Sequence, residues 1–262
     1  MPFYTPFSFI KQEGAGFDPD AQAFITATGI SGVEATAINT LVLDLKGYGI
    51  YSKFDAIYPF VGGTATTHKY NLINPADTDA AFRLLFSGGW THNSNGITGN
   101  GTNTYADTYY NVSVLAPTND FHMSIYSRTS TAANWYDIGA YTPAGGDTLV
   151  QARWGNGKGN VNFSTTYGTD FTNSDGTGFY VGNIDTVTKA YKNGSEVLSK
   201  SQTHTKPNLN LYIGASARTG GYDLPSGRNF AFSSIGLSLN ATQNANFYTA
   251  VQAYQTTLGR QV

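Results

Sequence analysis

The chain of 262 residues has no cysteine, so disulfides and thiolate metal sites contribute nothing to its stability or chemistry. Glutamate is almost missing: Glu13, Glu34 and Glu196 are the three present, and no two fall in one strand-length segment. Charged residues make up 12% of the chain and sum to −2. They are scattered, with no run of lysine or arginine able to follow a phosphate backbone, which argues against a nucleic-acid partner. No segment approaches 18 consecutive apolar residues, the length that membrane insertion of a helix requires. The opening MPFYTPFSFIKQEGAGF lacks the basic start and sustained apolar run of a conventional signal peptide. The expectation is a protein made in the host cytoplasm that leaves the cell by another route or inside something else.

Glycine (30), tyrosine (18) and phenylalanine (16) are plentiful, and Thr, Ser and Asn are abundant. These residues suit pleated, half-buried strands joined by tight turns. Two helices precede them. Asp18, Pro19 and Gly29 mark the cap, first turn and end of one, and Ser31 with Glu34 suggests a capping box for the next. YSKFDAIYPF reads as a third short turn closed by Pro59. From His68 and Lys69 onward a dozen short strand patterns follow, separated by Gly, Asn, Asp and Pro. Asn193-Gly194 between two of them predicts a two-residue hairpin turn. Asn240 and Gln243 open a terminal helix, with Ala245, Tyr248, Val251, Ala253 and Leu258 expected on its packed face.

YPFVGGTATTHKYNL (58–72) has the residue mixture of a phosphate-cradling loop, but not its order. Lys69 stands between His68 and Tyr70, without the glycine before it or the Ser/Thr after it that the motif needs. The glycine pair reads instead as a junction between a helical segment and the strands.

VTKAYKNGSEVLSKS, NLNLYIGASA and NFAFSSIGLSLNATQNANFYTAVQAYQTTLG together resemble the closing half of concanavalin A-like, laminin G-like jelly-roll domains. NGTNTYADT and FHMSIYSRT resemble earlier strands of the same domains. YPFVGGTATTHKYNL, DAAFRLLFSGGWTH and ANFYTAVQAYQTTLGRQV resemble a narrower group, the laminin G-like proteins of bacteriophages and the bacteria that carry them. The resemblance implies a mainly β fold, an antiparallel two-sheet jelly-roll sandwich with an N-terminal helical segment and a C-terminal helix. Its expected parts are an arm at 1–16, helices at 17–61, and a sandwich at 62–262 ending in a helix at 240–258. It also implies display on a virion surface, with other virion proteins, a cell-surface glycan and further copies of the chain as expected partners.

Glycosidases of the jelly-roll type carry Glu-x-Asp-x-x-Glu on one strand, which this chain lacks. Asp137 with Asp107 is the carboxylate pair considered in its place, and solvated loop aspartates are the preferred reading of both. No Gly-x-Ser-x-Gly occurs, and the four histidines, His68, His92, His122 and His204, share no metal-binding spacing. A non-enzyme is therefore expected, with a glycan-cleaving enzyme and a purely architectural spacer as alternatives. No cofactor is expected except calcium, for which Asp170, Asn173 and Asp175 in DFTNSDGTG are candidate oxygen ligands. The ligand-binding candidates combine aromatic rings with polar neighbours: Trp90, His92 and Asn93; Tyr110; Trp135; and Arg218 with Tyr222. Trp135 and Trp154 also fit sandwich core, and of Tyr109 and Tyr110 a regular strand turns only one to solvent.

Overall fold

Asp18 caps α1 (Pro19–Thr28) by accepting from the Asp20 N–H at 3.0 Å, and Gly29 closes the helix at φ 71°, as the sequence predicts. In this computed structural model, which describes residues 16–166 and 168–262, the expected arm lies, except for Gly16, outside the described residues. The capping box expected for α2 (Gly32–Gly47) does not form. Ser31 makes no side-chain cap bond, and Glu34 instead accepts from the Gly62 N–H at 3.0 Å.

Beyond a 3-10 turn at Tyr51–Lys53, the segment expected to be a turn is strand β1 (Phe54–Tyr58). The expected boundary at Gly62 therefore falls after the sandwich has begun. Gly62 and Gly63 do turn the chain, at φ 84° and 69°. The expected strand from His68 is instead the end of a single helical turn, α3 (Ala65–His68), with Thr64 and Thr67 forming its capping box.

Three short strands follow, β2 (Leu85–Ser87), β3 (Thr91–Asn93) and β4 (Gly96–Thr98). Then come β5 (Tyr105–Asn111), the turn α4 (Val112–Leu115), β6 (Phe121–Ser127) and β7 (Ile138–Thr142). β8 (Gly146–Gln151), β9 (Lys158–Asn162), β10 (Asp170–Thr172) and β11 (Gly178–Ile184) continue the chain. β12 (Thr188–Lys192) and β13 (Ser195–Lys200) form the predicted hairpin, with Asn193 and Gly194 at φ 51° and 75°. β14 (Asn210–Ile213), β15 (Ser216–Arg218), β16 (Gly221–Asp223), β17 (Asn229–Gly236) and α5 (Ala241–Thr257) complete it.

The strands make two sheets, paired antiparallel except where β15 meets β7. The first runs β13-β12-β11-β6-β17-β4-β3, with β1 also on β17; the second runs β10-β9-β8-β7-β14-β5-β2, with the β15–β16 hairpin against β7. Phe121, Met123, Ile125 and Phe230 of the first sheet meet Ile138, Val150, Val161 and Ile213 of the second to form the sandwich core. The first sheet is buried on its other face too. There Tyr126, Phe179 and Phe232 pack under Phe24, Leu41, Phe247 and Tyr254 of α1, α2 and α5. Every residue of β6 and β11 is consequently buried, and the alternation of a one-sided strand is lost. No helix among the described residues is long and apolar enough to cross a membrane.

The capping box of α5 forms as expected, but its packed face is Asn244, Phe247, Ala250, Val251, Tyr254 and Gln255. Two polar residues hide that face from a hydropathy reading, because their amides satisfy buried carbonyls. Asn244 donates to Leu239 O at 2.9 Å and Gln255 to Ala231 O at 3.2 Å. Arg260 is buried beside them and donates to the carbonyls of Phe60 (2.8 Å), Pro59 (2.7 Å) and Ala231 (3.0 Å), joining the end of β1 to β17.

A fully buried ion pair clips the two sheets at one end. Arg228, just before β17, places its Nε 3.1 and 3.2 Å from the two oxygens of Asp137, just before β7. The same carboxylate accepts from Ala152 N (2.8 Å) and Ser226 Oγ (2.8 Å), while the guanidinium also donates to the carbonyls of Thr129 and Arg153. Every nitrogen of the guanidinium donates and both carboxylate oxygens accept, which is what burial of two charges demands.

Arg228→Met leaves the Asp137 carboxylate buried and unpaired, and should cost about 3–5 kcal/mol in urea unfolding; Arg228→Met with Asp137→Leu should recover much of it. His204 stacks on Phe121 with ring centroids 5.9 Å apart, and burial pushes its imidazole down to about 4. Because the folded value lies below the unfolded one, its contribution is present at neutral pH and is lost as pH falls from about 6.5 toward 4. His204→Phe should therefore match the parent near pH 7 and exceed it at about pH 4, by on the order of 3 kcal/mol in chemical denaturation.

Candidate functional site

Among the described residues no helix covers the outer face of the second sheet, and its strands alternate core and polar residues. On β8, Val150 points into the sandwich core, so Asp147, Leu149 and Gln151 take the opposite face. Register then sets Asn160 of β9 beside Gln151, and Asp170 of β10 beside Asn160. These five side chains line a pocket of about 210 Å³. Tyr136, on the approach to β7, and Trp154, beyond β8, form its aromatic walls, with ring centroids 5.7 Å apart and planes at 47°.

The sheet clip fixes those walls. Asp137 follows Tyr136 directly, and Arg153, whose carbonyl takes a bond from Arg228, precedes Trp154. Gln151 is oriented by donating to the Trp135 carbonyl at 3.2 Å, and Asn160 by donating to Asp170 at 2.7 Å. Arg218 reaches the pocket from the β15–β16 hairpin. Its guanidinium lies over Tyr141 (4.2 Å) and Tyr136 (5.2 Å), pairs with Asp223 at 3.1 Å, and stands 4.0 Å from Asp147. Burial holds the Asp147 carboxyl above its ordinary value, against the opposing pull of Arg218 and Asn162. The arrangement offers two ring faces, two carboxylates and two amides around one space, able to cover an apolar ring and bond to hydroxyls on its rim.

Of the candidates from sequence, Arg218 and Tyr222 lie on this face, and Tyr222 is 38% exposed. Trp135 lies beside the pocket, packed under Arg228 at 5.4 Å and lending it only a carbonyl. Trp90 is a strut: its indole donates to Tyr105 O at 3.1 Å and fills the space a side chain would need at Gly214. His92 meets His68, their Nδ1 atoms 3.0 Å apart. Burial pushes His68 down to about 3 and lowers His92, so both rings are neutral near pH 7, as a bond with one N–H and one lone pair requires. Asn93 serves a turn, accepting from Asn95 N at 2.8 Å.

Tyr110 is corrected outright: it is 1% exposed and sits in the core, donating to Asp55 at 3.1 Å. Burial alternates along the whole of β5, so Tyr110 turns inward with Ala106 and Thr108, although Tyr109 takes φ 56° and the pairing with β14 slips between Asn210 and Tyr212. Asp137 is equally far from a solvated loop, being fully buried in the ion pair, and Asp107 stands apart from it, bound by Asn210 at 3.0 Å. Trp154, read as core, proved to be a pocket wall. A tryptophan at the end of a strand pattern and followed by Gly-Asn-Gly was the available signal.

Asp170, Asn173 and Asp175 serve different partners. Asp170 faces the pocket, while Asn173 Oδ1 and the Asp175 carbonyl each accept from the Lys192 ammonium at 2.7 Å.

No protein-family profile matches the sequence, and no curated protein matches it. Among solved structures, the chain is similar to a Trypanosoma rangeli sialidase mutant displaying trans-sialidase activity, with a TM-score of 0.53 at 11% identity. That likeness covers 86% of this chain and 39% of the sialidase chain. Domain 4 of AbnA, a GH43 extracellular arabinanase from Geobacillus stearothermophilus solved with arabinotriose, is similar at a TM-score of 0.41 and 13% identity, over 74% of this chain and 98% of that one. The CBM40 of Ruminococcus gnavus IT-sialidase, bound to α2,3 sialyllactose, reaches 0.38 at 13% identity, over 49% and 80%. The expectation of a non-enzyme is overturned, because the chain shares its fold with part of a sialidase, a glycoside hydrolase. The fold is the two-sheet antiparallel β-sandwich.

Proposed function

We propose that the chain binds carbohydrate in the pocket walled by Tyr136 and Trp154. The observation that carries this reading is the convergence of two tilted rings with Asp147, Gln151, Asn160 and Asp170 on a sheet face that, among the described residues, no helix covers. A sugar ring has an apolar face and a rim of hydroxyls, and each finds its counterpart here. A fold shared with part of a sialidase is in keeping with it. Display on a bacteriophage particle, facing a host surface glycan, is the wider setting of this proposal, supported by the sequence blocks at 58–72 and 79–92 and at the C-terminus.

Screening against a glycan array, followed by calorimetry with the strongest ligand, tests the reading. Trp154→Ala should weaken binding about tenfold or more without changing the unfolding midpoint, as loss of a central aromatic anchor does. Equal binding by parent and variant would refute it. Binding should also weaken as pH falls from 7 toward about 4, because protonation removes the charge from the Asp147 acceptor, and the fall should begin above the ordinary carboxylate range. In Asp147→Asn that part of the pH dependence should vanish.

A further inference from the structure

A second aromatic group lies on the other flank of the β15–β16 hairpin. Tyr105 of β5 and Tyr212 of β14 are stacked, with ring centroids 4.7 Å apart and planes at 15°, and Tyr222 of β16 lies 4.9 Å from Tyr105. Register places this group on the same face as the pocket. Leu149 pairs with Gly139, Gly139 with Tyr212, and Tyr212 with Asp107, and directly paired residues share a face. Leu149 and Tyr212 are two strand spacings apart, or about 10 Å. Asp107 lies beside the rings with its oxygens held by Asn210, again setting a carboxylate and an amide next to aromatic surface. Tyr222 is 38% exposed, and no core packing requires its ring to be there.

The cations near both groups are already matched. Lys158 pairs with Asp170 at 3.7 Å, and Arg218 is taken by Asp223 and Asp147. It is the cations that are matched and not the carboxylates: two cations against four carboxylates, Asp107 being the fourth, leave the face negative. An anionic sugar would meet repulsion here and find both of these cations engaged.

We infer that the tyrosine group Tyr105, Tyr212 and Tyr222 is a second sugar platform, and that the face binds an uncharged oligosaccharide long enough to reach from the pocket across the hairpin. The inference rests on the pocket being a carbohydrate site and names what that site takes.

A printed array of neutral and acidic oligosaccharides of one to six sugars supplies the probes, and calorimetry of the parent, Trp154→Ala and Tyr222→Ala follows on the hits. Neutral hits whose affinity rises with length are expected. Tyr222→Ala, at an exposed hairpin, should lose about tenfold on the longest hit and almost nothing on the shortest, whereas Trp154→Ala should lose affinity for both. A preference for acidic glycans overturns the inference, as does Tyr222→Ala binding the longest hit like the parent while Trp154→Ala still fails. If Trp154→Ala also binds like the parent, or the array yields no hit, the pocket reading itself falls and the inference with it.

Discussion

The ion pair between Asp137 and Arg228 holds the site end of this molecule together. Its two residues come from opposite sheets, and the bonds they make to Ala152 and Arg153 after β8 and to Thr129 after β6 tie two further segments to the same point, with Ser226 bonded on the approach to β17. Replacing such a pair with apolar groups of similar shape often leaves stability unchanged, so its value here is better sought in geometry. Asp137 directly follows one aromatic wall of the pocket, Tyr136, and Arg228 bonds the carbonyl of the residue before the other, Trp154. An apolar substitute would pack the sheets without dictating where Tyr136 and Trp154 stand.

A division of labour between the faces follows from the helices. Covering the first sheet with α1, α2 and α5 produces a second core, which lets the sandwich tolerate polar strands on the opposite sheet. Asp147, Asn160 and Asp170 would be poor choices for a face that had to be buried under another layer. They are acceptable where hydrogen bonds and solvent share the work, and there they can be exchanged for a ligand's hydroxyls.

Local chemistry was legible in the sequence, and long-range chemistry was not. Asp18, Pro19 and Gly29 announced α1, and Asn193-Gly194 announced its hairpin, because caps and turns are decided within a few residues. Short strands rich in aromatic and β-branched residues gave the sandwich, and the resemblance of its closing blocks gave its class. Tyr110 was misplaced because the alternation that turns one of Tyr109 and Tyr110 inward does not by itself say which of the two it is. On α5, Tyr248, Val251 and Leu258 pack as expected, but Ala245 and Ala253 are exposed, and Asn244 and Gln255 were missed because they are buried for their hydrogen bonds. Asp137 and Arg228 are 91 residues apart, so nothing local marks them as partners. The pocket has the same character, drawing its residues from β8, β9, β10 and the flanks of two strands, and Trp154 could be recognised as a wall only once those were assembled.

The helical cover also makes the molecule one-sided. With the first sheet closed off, the surface of the open sheet has a fixed direction relative to the helices, and on the proposed reading that surface is where a glycan binds. Any gain from multivalency must then come from several copies held with that surface pointing the same way, since one chain cannot bridge two glycans on opposite sides. Helices that complete a core thus also decide how the protein can be arrayed.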